Sequence, residues 1–216
     1  ANKNNIGFNG LDRPNPINGV DISGPMLKKI NVFGLAGVHN LPIRHGMTPG
    51  ELALLFKADE KMQLNLNIIT MEGWKREMWF DETGIPWVNP SPNIRNMNQA
   101  SLYPGLGLFE RLNIANKRGL PSPFEMIGAP WINAYDFVNS LNKYNLPGVN
   151  FTPIKFFPEE HKYSNELCEG IYITITDREK LEPVKLGFII IITLYKMYPL
   201  EFDIDKLWHI TRSKGL

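Results

Sequence analysis

A chain of 216 residues is long enough for one large domain or two small ones with a real core. Its formal net charge of +1 gives no electrostatic reason to expect nucleic acid or an anionic membrane as a partner. The single cysteine, Cys168, excludes an internal disulfide and a cysteine-based zinc cluster, and the longest apolar run, Leu186 to Ile192, is far too short to span a bilayer.

The chain opens on the polar ANKNN without methionine or a signal-peptide pattern, which reads as a mature product or a fragment. Ile6 to Ile17 reads as a short strand running into a proline-fixed loop, with Asp12 and Arg13 at the junction. Thr48, Pro49 and Glu51 spell a helix start with a capping box, and Leu52, Leu55 and Phe56 form its apolar face. Arg44, His45 and Gly46 lie on the loop entering that helix. Leu64, Leu66 and Ile68 alternate with Asn65 and Asn67, a strand signature.

The stretch from Met71 to Asn93 fits no helical or strand period. It interleaves Trp74, Trp79 and Trp87 with charges and closes on Pro86, Pro90 and Pro92. Long ordered irregular loops are more often functional than connective, so the stretch is expected to form a ligand wall, with Trp79 near the cleft and Trp87 in the core.

A helix is expected over Met97 to Leu112, interrupted by Pro104, followed by a polar loop, Asn113 to Pro123, and a short strand, Phe124 to Ile127. Asn133 opens a helix with an apolar stripe at Phe137, Val138, Leu141 and Tyr144, stopped by Pro147 and Gly148. Val149 to Phe157 reads as a strand, and Ile171, Ile173 and Ile175 make the cleanest strand of all. Length and flanking prolines decide for a helix from Glu182 to Tyr198, and a last helical turn is expected over Asp205 to Ile210. The pattern is mixed α/β (α+β), with four or five strands in a central sheet and helices packed on it.

Generic catalytic signatures are absent: there is no GxSxG, phosphate loop, GxGxxG or HExxH. No metal and no cofactor is expected. What remains is a loop constellation of Asp12, Arg13, Arg44, His45, Trp74, Trp79, Glu110, Asn113 and Arg118. Tryptophan faces beside arginine, asparagine and carboxylates suit a sugar, although nucleotides and peptides are served by the same residue types. The lack of a glycine-rich phosphate loop disfavours a nucleotide.

LDRPNPINGV (11–20), LPIRHGMTPGEL (41–52), GWKREMWFDETGIPWVNPSPN (73–93), IGAPWI (127–132) and ITDREKLEPVKLG (175–187) resemble the NamZ-type exo-β-N-acetylmuramidases. The resemblance implies a bacterial, secreted or periplasmic glycoside hydrolase of peptidoglycan fragments, releasing terminal N-acetylmuramic acid from the non-reducing end. It also implies two lobes: a Rossmann-like N-terminal domain with a Glu-His-Gly motif that carries the catalytic glutamate, and a C-terminal α/β domain.

No such Glu-His-Gly motif is present, so the whole chain, residues 1–216, is expected to be the C-terminal lobe with the N-terminal domain missing. The loop FERLNIANKRGLPSPFE (109–125) departs from the family's FEGTNVSEGRGT wording, keeping Glu110, Asn113, Arg118, Gly119 and the PFE triplet. From the resemblance, Glu110 is the candidate catalytic carboxylate. Arg118 is a candidate clamp for the lactyl carboxylate, and Asp12, Arg44, His45, Trp74, Trp79 and Asn113 are candidate substrate contacts. The alternative is a degenerate lobe that binds muropeptide without cleaving it.

Overall fold

The computed structural model describes residue 4, residues 6–26 and residues 39–207. The chain divides into two compact units, Ala1–Trp87 and Val88–Leu216. The class is mixed α/β as expected, but in place of one central sheet of four or five strands, the strands of the described residues are divided among three small sheets.

In the first unit, β1 (Phe8–Leu11) pairs in parallel with β4 (Leu66–Ile69), and β2 (Ser23–Met26) pairs antiparallel with β3 (Pro42–Arg44). The predicted helix is α1 (Pro49–Asp59), with the capping box in place: Glu51 N–H donates to Thr48 Oγ1 at 3.2 Å, and Thr48 N–H donates to Glu51 Oε2 at 3.0 Å. Its first turn lies so close to the parallel pair that a Cβ on Gly50 would stand 2.7 Å from both Asp12 Cγ and Ile68 Cγ2. Leu52, Leu55 and Phe56 are half-buried rather than fully covered.

Among its described residues, this unit buries few apolar side chains, Pro14, Ile17 and Trp79. It also buries the polar side chains of Asn15, Asn18, Arg44 and Thr48. Hydrogen bonds must therefore define much of its geometry.

The second unit holds the large core. β7 (Cys168–Ile175) is the central strand of an antiparallel sheet, between β5 (Met126–Ala129) and β6 (Val149–Phe156). Ile171 and Ile173 of β7 are fully buried, and Cys168 is a buried free thiol. Pro153 is tolerated because β6 lies at the edge of the sheet. α3 (Ala134–Asn142) packs against β6 and β7, and α4 (Pro183–Met197) packs against α3 and against α2 (Met97–Leu106).

The isoleucine run is helical, as length required. α2 is shorter than expected. Pro104 sits inside it, and the helix tightens into a 3-10 turn at Gly107–Phe109 rather than running to Leu112. β5 begins two residues later than expected, because Phe124 takes a left-handed φ of 65° before the strand. The last turn is a 3-10 helix over Ile204–Leu207, and the rest of that expected helix lies outside the described residues. α2 and α4 meet through glycines: a Cβ on Gly105 would lie 1.8 Å from Pro183 O.

Candidate functional site

In the first unit, five of the sequence candidates gather around the Asn15–Asp21 loop and the start of α1. The asparagines of LDRPNPINGV are turn-makers. Asn15 Oδ1 accepts from Ile17 N–H at 3.2 Å, and Asn18 Oδ1 accepts from Val20 and Asp21 N–H at 3.0 Å each. Asp12 is held fast. Its carboxylate accepts the Thr48 hydroxyl at 2.7 Å and the Gly50 N–H at 2.7 Å, so it stabilises the N-terminus of α1. It is a structural cap and has little capacity left for a ligand.

Arg44 is likewise internal. Its side chain is 5% exposed, its Nη2 donates to Ile17 O at 2.5 Å and pairs with Asp21 at 3.0 Å, and its guanidinium lies 5.7 Å from the Trp79 ring centroid. Trp79 is 2% exposed, so it is core and offers no face to a ligand. Trp87, expected in the core, is half-buried and meets Phe80 edge-on at 5.2 Å. The two rings exchange their expected places because Arg44, arriving from β3, covers Trp79.

Arg76 lies outside the expected site residues. Its Nη1 donates to Gly19 O at 3.1 Å and to Gly46 O at 3.2 Å, its Nη2 pairs with Glu51, and it lies over the Trp74 ring at 6.0 Å. Gly46 has φ +65°, and a Cβ there would meet Gly19 O at 2.9 Å, so Arg76 straps together two backbones that only glycines allow this close. Trp74 is half-buried, with its indole Nε1 buried and without a hydrogen-bond partner among the described residues.

His45 accepts the Met47 N–H on Nδ1 at 3.0 Å, and burial lowers its pKa. The neutral ring then carries its proton on Nε2, which has no partner among the described residues. Of these five side chains, His45 keeps a donor to offer.

In the second unit, Glu110, Asn113 and Arg118 lie on the loop after the 3-10 turn. Glu110 Oε1 accepts from Lys117 Nζ at 2.6 Å, and this bond chiefly holds its carboxyl below the usual range. It is an ionised carboxylate, whereas a general acid needs a raised pKa.

Asn113 is consumed structurally. Its Nδ2 donates to Glu201 O at 2.7 Å and its Oδ1 accepts Asp203 N–H at 2.9 Å. Arg118 is exposed and makes no ion pair among the described residues. It neighbours His161, whose pKa is lowered by burial and then by the charges of Lys162, Lys117 and Arg118. This end of the loop is electropositive.

Lys162, which nothing in the local sequence marks, sends its ammonium to the carbonyls of Phe109, Glu110, Leu112 and Ile114. Glu125, of the PFE triplet, is a buried carboxylate accepting from Gln99 at 3.1 Å, Tyr172 at 3.1 Å and Asn98 at 3.4 Å. The described residues contain no group of three or more His, Cys, Asp or Glu that could hold a metal.

Two family models match the chain. Exo-beta-N-acetylmuramidase NamZ, N-terminal, covers residues 1–98, and exo-beta-N-acetylmuramidase NamZ, C-terminal, covers residues 101–215. The expectation of a C-terminal lobe with its N-terminal partner missing is therefore corrected: the first 98 residues match the N-terminal model. The expectation rested on a single absent tripeptide, whereas the model draws on the whole segment.

Peptidoglycan beta-N-acetylmuramidase NamZ of Bacillus subtilis (strain 168) is 42% identical over 203 residues, which are 94% of this chain and 49% of that protein. A crystal structure of a DUF1343 family protein from Bacteroides fragilis NCTC 9343 superposes with TM-score 0.91 at 30% identity, covering 99% of this chain and 58% of that one. A second from the same organism gives 0.69 at 25% identity, covering 94% and 55%. The chain thus spans about half the length of the relatives it matches. With both family models matched along its length, the chain belongs to the exo-beta-N-acetylmuramidase NamZ family.

Proposed function

We propose that the protein acts on peptidoglycan fragments as a glycosidase releasing terminal N-acetylmuramic acid from the non-reducing end, and that it works in the secreted or periplasmic space where that polymer lies. The observation that carries this reading is Arg118: an exposed guanidinium with no ion pair among the described residues, in a cluster with Lys117 and His161. A guanidinium binds a carboxylate through two parallel bonds, and the lactyl carboxylate is what separates a muramic acid from a glucosamine.

In this reading Glu110 serves as an ionised carboxylate beside the sugar and not as the proton donor, because Lys117 keeps it deprotonated. Asp12, Arg44, Trp79 and Asn113 support the loops without touching the sugar.

The Lys117–Glu110 pair at 2.6 Å also favours a second reading, binding of muropeptide without cleavage, since a carboxylate so engaged is a poor base. Calorimetry with N-acetylmuramic acid and N-acetylglucosamine tests the first claim. Arg118→Ala should cost about 1.5–3 kcal/mol of affinity for the muramic sugar and little for the other, with Arg118→Lys recovering only part. Equal losses for the two sugars would retire Arg118 as the carboxylate reader. Turnover of a chromogenic muramic acid glycoside by the purified protein separates cleavage from binding alone.

A further inference from the structure

The ammonium of Lys162 stands within hydrogen-bond reach of four backbone carbonyls, Phe109 at 3.3 Å, Glu110 at 3.1 Å, Ile114 at 3.2 Å and Leu112. Four acceptors are more than the three protons of an ammonium can serve one to one. The arrangement is that of a coordination shell, a ring of oxygens converging on one positive charge.

The loop has no substitute for this charge. Leu112 and Ile114 are fully buried, and the carbonyls of Glu110, Leu112 and Ile114 accept no other hydrogen bond among the described residues. Removing the ammonium leaves polar backbone atoms unpaired in the interior.

The charged groups facing Lys162 are Lys117, Glu110, Lys206 and Arg111. Burial and then the Lys117 charge lower its pKa to about 8, while the four carbonyl dipoles act the other way and favour the charged form. Lys117 is itself bonded to Glu110 and Lys206 to Asp203, which moderates the repulsion. Next along the chain, the Tyr163 hydroxyl donates to Asn113 O at 3.0 Å, so consecutive residues of one loop fasten the other.

We infer that the Phe109–Ile114 segment is a cation-organised loop in which the Lys162 ammonium stands where a bound monovalent cation would, and that Lys162 is the positioning residue for Glu110. The second clause rests on the reading of Glu110 as a carboxylate beside the sugar; the first does not.

The test compares Lys162→Ala, which empties the cage, with Lys162→Met, which fills it with an uncharged chain of similar length. Each is studied in lithium, potassium and ammonium chlorides at one ionic strength. Stability is read by urea unfolding and loop order by amide exchange at residues 110–114. Lys162→Ala should lower the folding equilibrium constant at least roughly tenfold and lose protection in the loop. Ammonium and potassium should restore part of both, and lithium should not. Lys162→Met should be as unstable and respond to none of the three salts.

Wild-type stability in the alanine variant, or equal responses to all three cations, would overturn the inference. Should the alanine variant not fold, Lys162→Arg, which keeps the charge, should fold where Lys162→Met does not; equal behaviour of those two would also overturn it. Titration of N-acetylmuramic acid into Lys162→Ala then separates the two clauses. Affinity lost and regained with ammonium supports positioning. Unchanged affinity in a protein whose loop order still follows the cation retires the sugar-site reading and leaves the cation cage standing.

Discussion

The Asp12 carboxylate accepts the Thr48 hydroxyl at 2.7 Å across 36 positions of sequence, so the residue after a strand completes the cap of a helix that starts far along the chain. Thr48 in turn accepts from Glu51 N–H, which makes one continuous chain of polar contacts from β1 to α1. Asp12→Ala should therefore destabilise the protein by about 2 kcal/mol, at the upper end for a lost cap, since the Gly50 N–H loses its acceptor as well. Urea unfolding measures it, and a loss below about 0.5 kcal/mol would show that water replaces the carboxylate.

Arg76 should matter as much although its guanidinium is half-exposed. Arg76→Ala removes the donors to Gly19 O and Gly46 O, both on buried residues, and should cost about 1–3 kcal/mol. Arg76→Lys should recover less than half, because a point charge cannot reach two carbonyls and Glu51 together. Full recovery by lysine in the same unfolding assay would reduce the strap to a simple charge effect.

His45 predicts an acid-sensitive step. Burial lowers its folded pKa below the ordinary 6.5, so the unfolded chain binds more protons in the window just below 6.5, and stability falls as pH drops through it. Protonation of Nδ1 also removes the acceptor for Met47 N–H. His161 is shifted the same way and adds to the loss. His45→Asn, which keeps an acceptor in a similar place without titrating, should flatten the His45 part of the profile. An unchanged slope of stability against pH in that variant would assign the loss to His161 and other groups.

Gly105→Ala should be among the most damaging single changes, costing about 3 kcal/mol or more. The added methyl would stand 1.8 Å from Pro183 O, a backbone atom that cannot rotate away. Gly73→Ala is the control: it has open space around it, and only its φ of +74° opposes a side chain. Thermal midpoints of the two variants should differ widely, and equal midpoints would mean that α2 and α4 separate easily.

Features that depend on neighbours in sequence were legible from sequence. The Thr48–Glu51 capping box, the Ile171 and Ile173 alternation, and the proline-bounded helix ending before Pro199 all emerge from local rules. What was not legible depends on partners that arrive from far away. Trp79 looks like a ligand platform until Arg44 covers it, and Asn113 looks like a sugar contact until Glu201 and Asp203 claim both ends of its amide. Lys162 carries no pattern at all, because its partners are backbone carbonyls and any residue type supplies those. Within the candidate loop, the identities of Glu110 and Arg118 could be read, but their pairing could not. Lys117 holds the one, and nothing described holds the other.

The tie from Asn113 to Glu201 and Asp203, 88 and 90 positions on, bears on the order in which the molecule is made. A chain emerging from the ribosome presents Glu110 and Arg118 long before it presents the residues that fasten their loop. Lys162 arrives about midway between them. Until residue 203 is free of the exit tunnel, the Asn113 side-chain amide has no native partner and the loop is held without it, by ties such as those from Lys162 and Tyr163. A translational pause before residue 203 clears the tunnel would thus leave a nascent protein in which this tie is unmade. Protease sensitivity at residues 110–120 in arrested chains would report the moment of closure.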